Sequence, residues 1–166
     1  MSEKKILVSG CLFGWHCRYD DGDTPCLHPQ FLKWKEEGRL IPVCPEVFGG
    51  LPTPRPDCQR TGDKVMSCVG GDCTEQYTKG ANEALRLAKE NDVALCIMKE
   101  DSPSCGSTHI YDGTFTDTII EGQGLAVEYL RNAGYKVFSE NMIEEVIKLS
   151  LIHISEPTRR RESRMP

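Results

Sequence analysis

The sequence predicts a single α/β domain, a mostly parallel open sheet with flanking helices. Three observations carry that reading. Four short apolar runs recur along the chain, helical patterns lie between and after them, and 166 residues suit one core and strain two. The runs are residues 5–9 (KILVS), 40–43 (LIPV), 93–98 (VALCIM) and 136–139 (KVFS). None alternates strictly between apolar and polar, as expected of strands covered on both faces. A helix is expected over 29–37, with Pro29 in its first turn and Gly38 as its stop. Over 74–90, Tyr77, Ala81, Ala84, Leu85 and Ala88 recur at helical spacing. Further helices are expected over 123–132, ahead of Gly134, and over 142–149, behind Asn141 as cap. Strand and helix alternate, so the sheet is parallel with right-handed crossovers, a Rossmann-like arrangement. Such sheets bind ligands at the carboxyl edge of their strands.

Composition narrows the function. Apolar residues make up 39% and charged residues 27%, as in an ordinary globular protein. A net charge of −5 argues against nucleic acid as a main partner, and the longest basic run, 159–161, sits in the tail. No stretch of about 18 apolar residues occurs, so no spanning helix and no membrane role is expected. The opening MSEKKILVSG has too few apolar residues for a signal peptide, which makes a cytoplasmic, reducing compartment the expectation. From Ser150 the composition changes, with four arginines against two glutamates and no helical apolar spacing. Residues 1–149 are therefore expected to form the domain, with 150–166 an appended basic tail.

Nine cysteines in a reducing compartment ask for a role other than disulfide pairing. Three stand apart by position: Cys11 follows the first expected strand, Cys44 ends the second in VCPE, and Cys105 lies just past the third in KEDSPSCG. The carboxyl ends of parallel strands gather on one edge, so these three are expected to converge. Gly10, Pro45, Pro103 and Gly106 interrupt regular structure beside them, leaving turns with free amides near sulfur. Metal or cluster ligation, a reactive thiol and plain apolar packing are the readings that remain. Structural zinc sites draw on CxxC pairs, which the sequence lacks, and the HxE and PCxxC elements of zinc deaminases are missing too. Four thiolates would close an electron-transfer iron–sulfur cluster, whereas three leave one iron open to a substrate atom, sulfur by preference. Glu46, two residues past Cys44, and Ser102, three before Cys105, fall on the same rim. Glu46 suits proton shuttling or water activation, and Ser102 suits hydrogen bonding to an oxyanion or to that water.

SGCLFGWHCRYD, VCPEVFGGLPTPR and KEDSPSCGSTHIYDGTFTD together resemble the three signatures of the thiouracil desulfidase family, over residues 4–148. The resemblance implies an enzyme with an oxygen-sensitive [4Fe-4S] cluster held by Cys11, Cys44 and Cys105. It implies a small-molecule thiolated pyrimidine as substrate, 2- or 4-thiouracil giving uracil and sulfide without net redox change. In that scheme the substrate sulfur binds the iron that no cysteine holds, and the positions of Glu46 and Ser102 supply acid–base and orienting groups. Two stretches depart from the pattern. RYDDG carries an extra Asp, which loosens the match at Arg18, Tyr19 and Asp20, and PRPDCQR (54–60) places Cys58 where a more apolar and acidic continuation is usual. Two other functions compete: an iron–sulfur redox or iron sensor without catalysis, and a sulfurtransferase carrying persulfide on Cys105.

The remaining candidates are weaker. Stretches 13–28 and 45–73 are irregular and too long to be filler. Cys96, inside a strand, reads as core packing, and Cys17 as the best replacement fourth ligand. Cys26 with His28 makes half a zinc corner, and Cys58, Cys68 and Cys73 are open to incidental oxidation. VGGDCTE (69–75) resembles an anion-holding turn entering a helix, or simply a cap, and lacks the lysine of a P-loop. Arg55 reads as a partner for a carboxylate or a uracil oxygen, and His109 as a proton donor near Cys105 or a plain turn histidine.

Overall fold

The computed structural model describes residues 4–20 and 22–155. β1 (Ile6–Ser9) runs into one turn of helix, α1 (Gly10–Phe13); after a long loop, α2 (Pro29–Glu36) leads to β2 (Leu40–Val43) and the short α3 (Pro45–Phe48). A hairpin of β3 (Cys58–Thr61) and β4 (Lys64–Ser67) precedes the long α4 (Thr74–Glu90) and β5 (Leu95–Met98). A second hairpin, β6 (His109–Tyr111) and β7 (Ile119–Glu121), leads to α5 (Leu125–Asn132) and β8 (Val137–Ser139). A 3-10 turn over Glu140–Met142 then opens α6 (Ile143–Ser155).

The central sheet is parallel throughout, in the order β2-β1-β5-β8, and its strands are the four apolar runs. Side chains alternate across a strand, and here both faces are covered. Leu7, Val43, Cys96 and Met98 pack with Tyr77, Ala81, Ala84 and Ala88 of α4 and with Leu125, Ala126, Val127 and Leu130 of α5. Ile6, Val8, Leu95 and Ile97 face the other way, onto Phe31 and Trp34 of α2 and Ile143 and Val146 of α6. The architecture is thus three-layered α/β, as the alternation of runs predicts. The first hairpin and the one-turn α3 lie inside the stretch 45–73 that reads as irregular, while the second hairpin and α1 fall where the sequence reading places no element. The last helix continues past residue 149 to Ser155; residues 156–166 and Asp21 lie outside the described ones.

One contact between helices fixes where β2 delivers its last residues. A Cβ on Gly80 would overlap the Pro45 carbonyl, and one on Gly49 would overlap that of Gln76, so α3 and α4 touch backbone to backbone. That contact seats α3, and with it Cys44 and Glu46, against the longest helix. Among the described residues no helix is long and apolar enough to cross a membrane.

Candidate active site

β1 lies between β2 and β5, so the chain leaves β1 toward one side and later returns on the other. At such a switch point the strand ends part into a crevice. Cys11 enters it from α1, Cys44 as the residue capping α3, and Cys105 from the loop between β5 and β6. All three are buried thiols lining one cavity of about 190 Å³, together with Glu46 and Ser102. Local chemistry sets up Cys44 and Cys105. Pro45 takes the first position of α3, where its missing N–H is no loss, and this starts the helix directly behind Cys44. Ser102 Oγ accepts the N–H groups of Ser104 and Cys105, each at 3.1 Å, folding SPSC into a tight turn. Glu100 fastens the rest of that loop: its carboxylate accepts the N–H groups of Ser107, Thr108 and His109 at 2.8, 2.9 and 3.1 Å, and both neighbouring hydroxyls. Burial opposes its charge, but these donors outweigh it and hold the carboxyl down to about 2.

Glu46 is the hub of the cavity. Arg55 donates to its Oε1 from Nε at 3.0 Å and from Nη2 at 2.7 Å, and Ser104 and Ser102 hydroxyls face Oε2 at 3.1 and 3.5 Å. Arg55 is itself locked, donating also to the carbonyls of Pro52 and Cys17 at 3.0 and 2.9 Å. Burial opposes the guanidinium charge, and Glu46 more than offsets it. The Tyr77 hydroxyl, in the core of α4, interacts with both Glu46 and Cys58; burial pushes its phenol up. One carboxylate oxygen is therefore fixed by charge and the other left toward the cavity and two hydroxyls.

The thiols sense one another. Burial pushes Cys11 and Cys105 up, and the charge of Cys44 adds to both. Cys44 is held down, chiefly by the Cys17 thiol, whose proton is correspondingly hard to remove, and against the effect of burial. Three buried thiolates around one cavity repel one another, so a positive centre is what would let them all ionise. All nine cysteines are free thiols. Among the described residues no three His, Cys, Asp or Glu side chains are set to hold a single metal ion.

A family model, 2-thiouracil desulfurase, matches residues 6–142. The chain belongs to the 2-thiouracil desulfurase family. It is 41% identical to a solved structure of a [4Fe-4S]-dependent thiouracil desulfidase, TudS, with a TM-score of 0.87, covering 90% of this chain and 99% of that one. It is also 38% identical over 152 residues to YbbK, an uncharacterized protein of Bacillus subtilis (strain 168), covering 86% of this chain and 99% of that protein. A 2-thiouracil desulfurase is an enzyme, and the solved relative shares this α/β fold.

In this member of the desulfurase family the other candidates sort by where they sit. Arg18, Tyr19 and Arg55 line the cavity, and Asp20 and His109 do not. Arg55 has a carboxylate partner, Glu46. His28 uses both ring nitrogens, Nδ1 accepting from Gln30 N–H at 3.1 Å to cap α2 and Nε2 paired with Glu144 at 2.7 Å, so it forms no zinc corner with Cys26. The VGGDCTE amides are spent within the turn: Gly71 N–H on Ser67 Oγ and Thr74 N–H on Asp72, both at 2.9 Å. Cys96 packs in the core, fully buried, which pushes its thiol up to about 12. Sequence reasoning missed Ser104 and Tyr77. Tyr77 reads as one more member of an apolar stripe, and only its being a phenol among alanines marks it.

Proposed function

We propose that this desulfurase removes sulfur from a thiolated pyrimidine, 2- or 4-thiouracil, giving uracil and sulfide. Cys11, Cys44 and Cys105 would hold an oxygen-sensitive [4Fe-4S] cluster, in a reducing, cytoplasmic compartment. The observation that carries this reading is the meeting of three strand-end thiols and an Arg55-anchored carboxylate on one cavity. The donor set fits: three cysteines lining one cavity would supply the thiolates an iron–sulfur cluster takes. When bound, such a cluster supplies a thiophilic Lewis-acidic iron for the thiocarbonyl sulfur.

The chain's own residues handle the protons. Replacing C=S by C=O with water moves two protons from water to sulfur and no electrons. Arg55 pins Oε1 of Glu46, which leaves Oε2 to take a proton from water and return it to the departing sulfide. Ser102 and Ser104 hydroxyls beside Oε2 orient that water and the pyrimidine oxygen. A persulfide carrier would need Cys105 to ionise alone where burial pushes it up, which favours ligation instead.

Anaerobic iron and sulfide quantification tests the ligands. The wild type should hold about four irons per chain, lost in each of Cys11→Ala, Cys44→Ala and Cys105→Ala. Full occupancy in any of the three removes that ligand. A fully loaded protein that converts neither thiouracil removes the substrate.

A further inference from the structure

Outside the ligand set, two more sulfurs lie close together. Cys58 opens β3 and Cys73 caps the N-terminus of α4, with their Sγ atoms 3.8 Å apart. The β3–β4 hairpin holds them in register. Cys58 stands opposite Ser67 in the ladder, and the Cys73 N–H donates to the Val65 carbonyl at 2.8 Å. A disulfide has an S–S bond of about 2.05 Å, so the sulfurs must close by less than about 2 Å, the scale of a side-chain rotation. Cys73 is half-buried, whereas Cys58 is buried against the cavity wall.

We propose that Cys58 and Cys73 are a modification site, forming a reversible disulfide by exchange with a low-molecular-weight disulfide such as oxidised glutathione. The thiolate of Cys73 attacks one glutathione sulfur, which forms a mixed disulfide and releases one glutathione. Cys58 then attacks the Cys73 sulfur and releases the second. Two cysteine thiols are oxidised and one disulfide is reduced to two thiols; the two protons lost by the cysteines end on the two glutathiones. The order follows from exposure, since Cys73 is the less buried of the two and burial, which pushes the Cys58 thiol up to about 12, disfavours Cys58 as the first attacker. Pairs of this kind act as redox sensors in reducing compartments. Cys58 borders the cavity and interacts with Tyr77, which interacts with Glu46, so the bond would form beside the site.

The protein is equilibrated anaerobically across a series of reduced-to-oxidised glutathione ratios, quenched in acid, alkylated and mapped by peptide mass. A linked Cys58–Cys73 peptide is expected to grow with the oxidised fraction and to vanish with dithiothreitol. Cys58→Ser should trap one glutathione on Cys73, Cys73→Ser should leave Cys58 free to alkylate, and Cys68→Ser should change nothing. Full alkylation of both thiols at the most oxidising ratio, or a link through Cys68, overturns the proposal. The readout is the cross-link alone, so it stands or falls apart from substrate and cluster.

Discussion

Glu46 and Arg55 form a pair in which either partner fails differently when removed. Glu46→Gln keeps the shape and an oxygen for Arg55 but cannot carry a proton. Its turnover of thiouracil should fall by about 10²–10⁴-fold, with iron content unchanged; a variant within a fewfold of wild type would remove Glu46 from the chemistry. Arg55→Met leaves a carboxylate buried without its cation, which typically costs about 3–5 kcal/mol, read as a lowered denaturant midpoint. Glu100 gives a pH dependence. Its folded value near 2 lies below the ordinary 4.5, so its stabilisation is complete above about pH 4.5 and is lost as pH falls toward 2. A shift of that size amounts to on the order of 3 kcal/mol at neutral pH. Glu100→Gln should therefore lower the midpoint at pH 7 and flatten its decline toward pH 3; an unchanged slope would show that the amide clamp does not set acid stability. At this scale the three ligand candidates are legible because position after a strand is a one-dimensional fact. Tyr77 and Ser104 are not, because their partner Glu46 is distant in sequence and only the fold brings them together.

Elements differ in legibility for a related reason. The four central strands are apolar because helices cover both faces, and that leaves a signal in composition. The hairpin strands carry none: CQRT, KVMS and HIY mix polar with apolar, and β7 is exposed along its length. A turn signal does mark the first hairpin. Gly62 and Asp63 form a two-residue loop with Gly62 at φ 60°, the left-handed conformation such hairpins require. The α3–α4 contact is likewise invisible until the helices meet, and it yields a prediction whose sign discriminates. Helix propensity alone says that Gly80→Ala stabilises α4 by about 1 kcal/mol. The overlap with the Pro45 carbonyl says that α3 is displaced, at a cost of about 1–3 kcal/mol. Net destabilisation in urea, together with reduced iron occupancy, is expected, since Pro45 lies between Cys44 and Glu46. A rise in the midpoint would mean that the two backbones have room to part.

For the whole molecule, strand order matters more than any one strand. Parallel direction follows from the alternation of elements, but the order β2-β1-β5-β8 depends on which side of β1 each crossover takes, which the sequence does not write. That order makes the proposed ligands neighbours: they leave β1, β2 and β5, three adjacent strands, so a cluster would tie together segments from residue 11 to residue 105. A ligand bound only by the native state stabilises by mass action, about 2.7 kcal/mol at a hundredfold excess over its dissociation constant. In a domain of this size each kcal/mol is worth about 2–4 °C. Stripping iron with a chelator under anaerobic conditions should thus lower Tm by about 5–10 °C, and Cys44→Ala should melt at the stripped value with or without iron. We propose residues 150–166 as an appended basic tail, and removing 156–166, the part beyond α6, should leave Tm and iron content where they were. If chelation removes iron while Tm holds, the metal is not bridging the three strands, and the ligands must be sought on one side of the crevice. If Tm falls equally in Cys44→Ala on chelation, the binding that stabilises the fold does not pass through Cys44.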